Sequence, residues 1–226
     1  MLVTSRSAAE YRAMFDLPAQ LPPAHRVLDC CAGGSSFAAE SGGDVVAVDP
    51  VYGGDRQDLA ARVRTGIEDG DRIIAAHAAR FDWQWYGDPA RRARLRRAAG
   101  ERFLTDLREH PDRYVAGALP DLPFGNGRFD LTLCSHLLFT WSDRFDEHWH
   151  RAALAELARV TRGEIRVFPL VVQGSGDPVP FLDTLLGELR EAGHRVTRQG
   201  VPYRFQRGAD EMVRIEVRRP LSRRRS

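Results

Sequence analysis

The sequence contains no lysine, so all 33 of its Lys and Arg residues are arginine, and its formal net charge is only +2. An arginine-only basic set is typical of a GC-rich bacterial genome, and a charge this small argues against a nucleic-acid partner. Cysteine is also scarce: there are three, two of them adjacent, and none form the CxxC pair of a structural zinc site. We therefore expect a protein of a reduced compartment with no disulfide framework and no metal.

Long apolar runs are absent too. None reaches the roughly 18 residues that a membrane-spanning helix needs, and the first residues lack the apolar core of an export signal. Hydrophobic residues make up 43% and charged residues 28% of the 226 residues, a composition typical of a folded globular chain. We expect a single cytoplasmic domain over residues 1–226, with no membrane partner.

The sequence divides that domain into a few segments. A capping box, SAAE, followed by apolar residues at helical spacing predicts a helix and linker over 7–23. The interval between the second and third predicted strands far exceeds the dozen or so residues of a plain crossover, so 53–113 is predicted to be a helical cap insertion. Within it we expect one helix to end and another to begin near Gly70, and a third to start at Asp88-Pro89. Residues 219–226 are predicted to be a disordered basic tail.

The stretch 26–52 carries the strongest functional signal. It predicts a buried strand, a turn of small residues, a short helix and a second strand that ends on Asp49. Such a unit binds nucleosides, because small residues let the backbone approach the ligand and the acid can accept from both ribose hydroxyls.

Four blocks extend this pattern along the chain. They are LDCCAGGSSF (28–37), AVDP (47–50), LPFGNGRFDLTLCSHLLF (122–139) and RVTRGEIRVFPL (159–170). In this order they resemble the motifs of class I S-adenosylmethionine-dependent methyltransferases. The resemblance implies an α/β fold: a doubly wound, Rossmann-like, seven-stranded sheet, mostly parallel, with its last strand antiparallel in a C-terminal hairpin. It also implies S-adenosyl-L-methionine as the cofactor.

The resemblance implies a cofactor site made of residues at the ends of the strands. They are Asp29, Cys31, Gly33, Gly34, Asp49, Pro50, Ala118, Leu119 and Ser135. Two small residues, Cys31 and Ser35, stand where the family has loop glycines. Ala118 replaces an acid that often binds the adenine amino group, and Asp121 is the candidate to make that contact instead. The missing G-x-G-x-x-G motif and the acid Asp29 inside the first strand favour S-adenosylmethionine over NAD.

Several residues are candidates for chemistry on the acceptor. His136 follows the fourth strand, where ligands bind in open α/β sheets, and is the first candidate for a general base. A hydrogen-bonded histidine that only shapes the site is an equal alternative. Trp141 and Asp143 either wall the substrate pocket or pack their loop. The aromatic run 81–86 either closes over a small molecule or packs the cap.

Two further clusters have simple structural interpretations. His148 and His150 lie two residues apart on a predicted helix, so their imidazoles point in different directions and cannot share a metal ion. The arginines of the third cap helix are interpreted as its solvated face, with recruitment of an acidic substrate as the alternative. These residues are Arg91, Arg92, Arg94, Arg96 and Arg97.

The sequence thus predicts methyl transfer from S-adenosylmethionine to a small-molecule or peptide acceptor. The altered loop and the missing acid on the third strand leave a second hypothesis open. In it the chain is a non-catalytic sensor or assembly protein that binds S-adenosylmethionine or another nucleoside.

Overall fold

A computed structural model describes residues 3–218, which form one seven-stranded mixed sheet flanked by helices. The strands are β1 (Arg26–Cys30), β2 (Asp44–Val48), β3 (Tyr114–Val115), β4 (Phe129–Ser135), β5 (Thr161–Phe168), β6 (Arg195–Gly200) and β7 (Glu211–Glu216). The helices are α1 (Ala8–Phe15), α2 (Phe37–Glu40), α3 (Arg56–Ala76), α4 (Pro89–Glu109), α5 (Glu147–Val160) and α6 (Leu182–Glu191). The predicted basic tail, 219–226, lies outside the described residues.

The sheet has the order β3-β2-β1-β4-β5-β7-β6. Strands β1 to β5 pair in parallel, whereas β7 is antiparallel to both β5 and β6. The last four residues of β1 are all buried, as expected for a parallel strand covered on both faces. The predicted doubly wound, seven-stranded sheet with an antiparallel last strand in a C-terminal hairpin is therefore confirmed.

Helix α1 begins where the capping box predicts. Ser7 Oγ accepts a hydrogen bond from the Glu10 backbone N–H at 3.4 Å, and the Ser7 N–H donates to the Glu10 carboxylate at 2.8 Å. These reciprocal bonds satisfy amide groups that the first helical turn leaves free. The buried face of the helix, which carries Tyr11, Met14 and Phe15, then packs in the apolar core.

Two long helices, α3 and α4, fill the interval between β2 and β3. The predicted break near Gly70 is wrong, because α3 is continuous over Arg56–Ala76. A glycine inside a helix costs only about 1 kcal/mol, and the turn beyond Gly70 is tied to α4 by an ion pair of 3.1 Å between Arg92 and Asp71. Asp88 caps α4 as predicted, by accepting a backbone N–H of the first turn.

Two apolar layers enclose the sheet. One layer contains α1, α2, α3 and α4, with Tyr11, Phe37 and Phe103 in its centre. The other contains α5 and α6, with Leu154 and Leu186 in its centre. No helix within residues 3–218 is long and apolar enough to cross a membrane.

Candidate functional site

A cavity of about 1110 Å³ opens at the carboxyl ends of the parallel strands. Most of the residues predicted for the site line it, and they follow four different strands. They are Cys31 after β1, Asp49 and Pro50 after β2, Ala118 and Leu119 after β3, and Ser135 and His136 at the end of β4, together with Gly33 from the small-residue loop. The edge of the sheet at which the strands end is where ligands bind in open α/β folds.

Two backbone N–H groups fix the carboxylate of Asp49 beside the small-residue loop. One carboxylate oxygen accepts from the Gly33 N–H at 2.9 Å and the other accepts from the Val51 N–H at 3.0 Å. Burial raises the pKa of Asp49, against the lowering effect of these N–H groups and of the Arg62 guanidinium. Each oxygen keeps a free lone pair, so the fixed carboxylate can still accept hydrogen bonds from a ligand.

Two of the predicted cofactor residues, Asp29 and Gly34, do not line the cavity. Asp29 is fully buried in β1, where it accepts from the Tyr11 hydroxyl at 2.8 Å. Its second oxygen has no partner among the described residues, and burial raises its pKa to about 7. Gly34 faces α3 instead: a Cβ there would lie 2.8 Å from the Ser5 hydroxyl and 3.3 Å from Val63.

The N-terminal segment before α1 covers the small-residue loop. The Thr4 carbonyl accepts from the Gly34 N–H at 3.0 Å, and the Arg6 carbonyl accepts from the Ser36 N–H at 2.9 Å. Residues 3–6 line the cavity as a result. No motif in the sequence marks this segment, because its contacts are backbone hydrogen bonds to residues about thirty positions away.

Tyr52 contacts both the small-residue loop and the inserted helix α4. Its hydroxyl donates to the Gly33 carbonyl at 2.7 Å. Its ring packs against Phe103 of α4, with a centroid distance of 6.0 Å. Tyr52 therefore connects the small-residue loop to α4.

His136 stands at the junction of β4 and the cavity. Its Nδ1 is hydrogen-bonded to Ser135 Oγ at 2.9 Å, and its backbone has a positive φ of 56°. Burial, together with the guanidinium groups of Arg6 and Arg96, holds the pKa of His136 well below its usual range. The imidazole is therefore neutral at pH 7.

The interpretation of the α4 arginines as a solvated face is wrong for two of them. Arg92 and Arg96 are buried and line the cavity, while Arg91, Arg94 and Arg97 are exposed. The helical period carries the missed signal. Arg92 and Arg96 precede the buried residue Phe103 by eleven and seven positions, which puts all three on one face of the helix.

Arg96 is the anchor of this face. Its Nη2 lies 2.9 Å from the Glu10 carboxylate, with side-chain exposures of 6% and 0%. The same guanidinium donates to the Ser5 carbonyl and to the Tyr86 hydroxyl. Burial raises the pKa of Glu10, whereas Arg96, the Ser7 N–H and the Tyr86 hydroxyl lower it. The lowering is larger, so the pKa lies below its usual range.

The aromatic run 81–86 divides between the core and the cavity. Tyr86 is fully buried, and its hydroxyl is hydrogen-bonded to that of Tyr203 at 2.8 Å. Phe81 lines the cavity and stacks on Phe205, with ring centroids 4.6 Å apart. Tyr86 thus packs in the core, while closure of the run over a small molecule stays a prediction for Phe81.

Of the other predicted candidates, Trp141 lies at the cavity and His150, Asp143 and Asp121 lie away from it. His150 is buried, with Nδ1 bonded to the Asp146 carbonyl at 2.8 Å and Nε2 accepting from the Phe139 N–H at 3.1 Å, so both ring nitrogens are used structurally. Trp141 lines the cavity, whereas Asp143 and Asp121 are exposed and do not.

The sheet order, with β7 inserted antiparallel between β5 and β6, gives the chain the Rossmann-like fold of class I methyltransferases. No protein-family model matches the chain. It is 23% identical over 218 residues to an uncharacterized protein of Methanocaldococcus jannaschii, covering 95% of each chain.

Two solved structures are similar to it at low identity. One is magnesium protoporphyrin IX methyltransferase from Synechocystis PCC 6803 with bound S-adenosylmethionine, at a TM-score of 0.46 and 10% identity, over 87% of this chain and 71% of that one. The other is an S-adenosylmethionine-dependent methyltransferase from Aquifex aeolicus, at a TM-score of 0.44 and 14% identity, over 92% and 93% of the two chains. The activities named here belong to those two proteins and are not assigned to this chain.

Proposed function

We propose that the protein transfers a methyl group from S-adenosylmethionine to a small-molecule acceptor. The observation that carries the proposal is the convergence of residues from four strand ends on one cavity around the fixed carboxylate of Asp49. Such a carboxylate at the end of the second strand is what a ribose diol requires.

The residues present fit this cofactor. Asp49 offers acceptors to the ribose hydroxyls, while Pro50, Val51 and Leu119 offer apolar surface for the adenine. Cys31 and Gly33 bring backbone close to the methionine part. The unpartnered oxygen of Asp29 beneath the loop can receive a hydrogen bond relayed from the amino group by a water molecule.

The size and cover of the cavity favour a small acceptor over a peptide. Single ligands occupy pockets of about 300–1000 Å³, so a cavity of about 1110 Å³ has room for a cofactor and a small acceptor together. Residues of α3 and α4, among them Ile67, Ile74 and Arg96, form part of its wall. We propose that these helices act as a cap that excludes water from the acceptor.

The main task of the protein in methyl transfer is to align the acceptor atom with the methyl group and the sulphur. When bound, S-adenosylmethionine supplies an electrophilic methyl group: a lone pair of the acceptor bonds to the methyl carbon, and the electrons of the broken C–S bond stay on sulphur. His136 is proposed to take the proton that a protonated acceptor atom must lose. The lowered pKa makes this imidazole a weak base, so the role proposed for it rests on its position in the cavity lining.

Calorimetry tests the cofactor. S-adenosylmethionine should bind the wild type and NAD should not, and Asp49→Ala should weaken the binding of S-adenosylmethionine by tenfold or more. Asp44→Ala is the matched control, because Asp44 lies at the opposite end of the same strand, exposed to solvent. Binding of NAD alone, or equal affinities of the two variants, would overturn the proposal.

A second measurement distinguishes an enzyme from a sensor. Transfer of a labelled methyl group from S-adenosylmethionine to a panel of small acceptors should be detected with the wild type and should fall with Asp49→Ala. Tight cofactor binding without transfer to any acceptor in the panel would favour the non-catalytic hypothesis instead.

A further inference from the structure

The cavity is strongly basic. Six arginines line it within the described chain, against one carboxylate, that of Asp49. Two of these arginines, Arg6 and Arg96, line it together with His136, whose pKa both of them lower.

The charges of this region do not cancel. Arg96 is paired with Glu10 at 2.9 Å, and Arg92 is paired with Asp71 at 3.1 Å. Arg6 forms no ion pair within residues 3–218: its Nη1 donates to the Thr4 hydroxyl at 2.8 Å. Within the described structure, Arg6 and Arg96 thus have one carboxylate at ion-pair distance between them, that of Glu10.

The hydrogen-bonding capacity is also incomplete. The Nε atoms of both Arg6 and Arg96 are buried without a partner in the described structure. Burial lowers the pKa of Arg6, and the neighbouring Arg96 lowers it further. A desolvated cation is unfavourable by itself and is stabilised by an anion that approaches it.

The chemistry of that anion follows from the guanidinium group. Its planar donors match the two oxygens of a carboxylate or of a phosphate group. Apolar side chains line the same cavity: Phe168 packs against His136 with a centroid distance of 5.5 Å, and Trp141 and Phe205 are also part of the lining. A ligand that satisfies both features has an anionic group on an apolar body.

We infer that the acceptor of the proposed methyl transfer is a small organic acid, a carboxylate or a phosphate ester with an apolar body, whose anionic group binds Arg6 beside Arg96. This inference rests on the proposed function. A carboxylate is also present on S-adenosylmethionine itself, so the test must separate the anion of the acceptor from the anion of the cofactor.

The experiment measures the binding of benzoate, phenyl phosphate and the uncharged analogue benzamide to protein saturated with S-adenosylhomocysteine. Wild type should bind at least one of the two anions tenfold or more tightly than benzamide. Arg6→Gln should weaken that binding by about tenfold to a hundredfold, the range expected for a lost charged hydrogen bond. Arg94→Gln, an exposed position on α4 outside the cavity, should leave it unchanged.

The possible results distinguish a failure of this inference from a failure of the proposed function. Equal binding of the anions and benzamide to wild type, or unchanged anion binding in Arg6→Gln, overturns the inference while the cofactor proposal stands. A loss of affinity for S-adenosylhomocysteine in Arg6→Gln equal to the loss for the anions also overturns it, since the guanidinium then serves the cofactor. Anion selectivity in a wild type that binds no S-adenosylhomocysteine supports the anion site and refutes the methyltransferase.

Folding of the variant is checked by thermal unfolding. Arg6→Gln removes an unpaired cation, so its midpoint should equal or exceed that of the ligand-free wild type. Arg6→Lys, which keeps the charge but loses the fork of donors, should retain part of the anion selectivity.

Discussion

Replacement of Arg96 by Met is expected to lower the free energy of unfolding by about 3–5 kcal/mol at pH 7. Arg96 is the cation of the buried pair with Glu10, whose side chain is fully buried. Removal of one partner of such a pair leaves a charge without compensation in a medium that cannot solvate it. For a chain of this length, the loss corresponds to a fall of roughly 6–20 °C in the unfolding midpoint.

The pH dependence identifies the cause. In the wild type the pKa of Glu10 lies below its usual range, so its stabilising contribution is complete above the pKa of the unfolded chain and is lost only at lower pH. Arg96 is the largest of the groups that lower the pKa of Glu10, so we expect burial to raise this pKa above the unfolded value once Arg96 is removed. The variant then gains stability as the pH falls through this raised pKa, so the difference between the two proteins should shrink from pH 7 to pH 5.

Urea unfolding at the two pH values measures both effects. Arg94→Met is the control, because Arg94 is exposed on the same helix and its replacement should change stability by no more than about 0.5 kcal/mol. A loss below 1 kcal/mol for Arg96→Met, or a loss that does not depend on pH, would refute the assignment of Arg96 as the compensating charge of Glu10.

Three other predictions follow from the structure. Gly66→Ala puts a methyl group 2.3 Å from the Val3 carbonyl oxygen and should destabilise by roughly 1–3 kcal/mol in urea unfolding, whereas Gly70→Ala on the same helix meets nothing and should stabilise by about 0.5–1 kcal/mol; equal effects would contradict the packing of the N-terminal segment on α3. Because the pKa of Asp29 is raised to about 7, its contribution to stability is lost as the pH rises, so Asp29→Asn should gain stability relative to wild type between pH 5 and pH 8; a difference that does not vary with pH would show that Asp29 is ionised throughout. His136→Asn, which tolerates the positive φ, should lower methyl transfer by about 10²–10⁴-fold without weakening cofactor binding; unchanged turnover would remove His136 as the base.

Much of the fold and the strand-end part of the cavity could be predicted because their signals are local. The capping box of α1, the acid that follows β2 and the Asp88-Pro89 start of α4 each depend on a few adjacent residues. Parallel strands end at the same edge of a sheet, whatever the length of the connections between them. Asp49, Ala118 and Ser135 could therefore be expected from the sequence to lie at one edge.

The arginine-lined part of the cavity could not be predicted in the same way, because its contacts join distant segments. Arg6 and Arg96 are ninety residues apart, and Glu10, which compensates one of them, was interpretable from sequence only as part of a capping box. Asp29 is a different case. Its place in β1 was expected, but which side of the loop its carboxylate faces depends on the packing of Tyr11 from α1.

The most direct test of the central claim is a crystal structure of the protein with S-adenosylhomocysteine. Both ribose hydroxyls should lie within hydrogen-bonding distance of the Asp49 carboxylate, the adenine should pack against Pro50 and Leu119, and the sulphur should point towards His136. A ligand bound elsewhere, or bound in this cavity with its ribose away from Asp49, would contradict it.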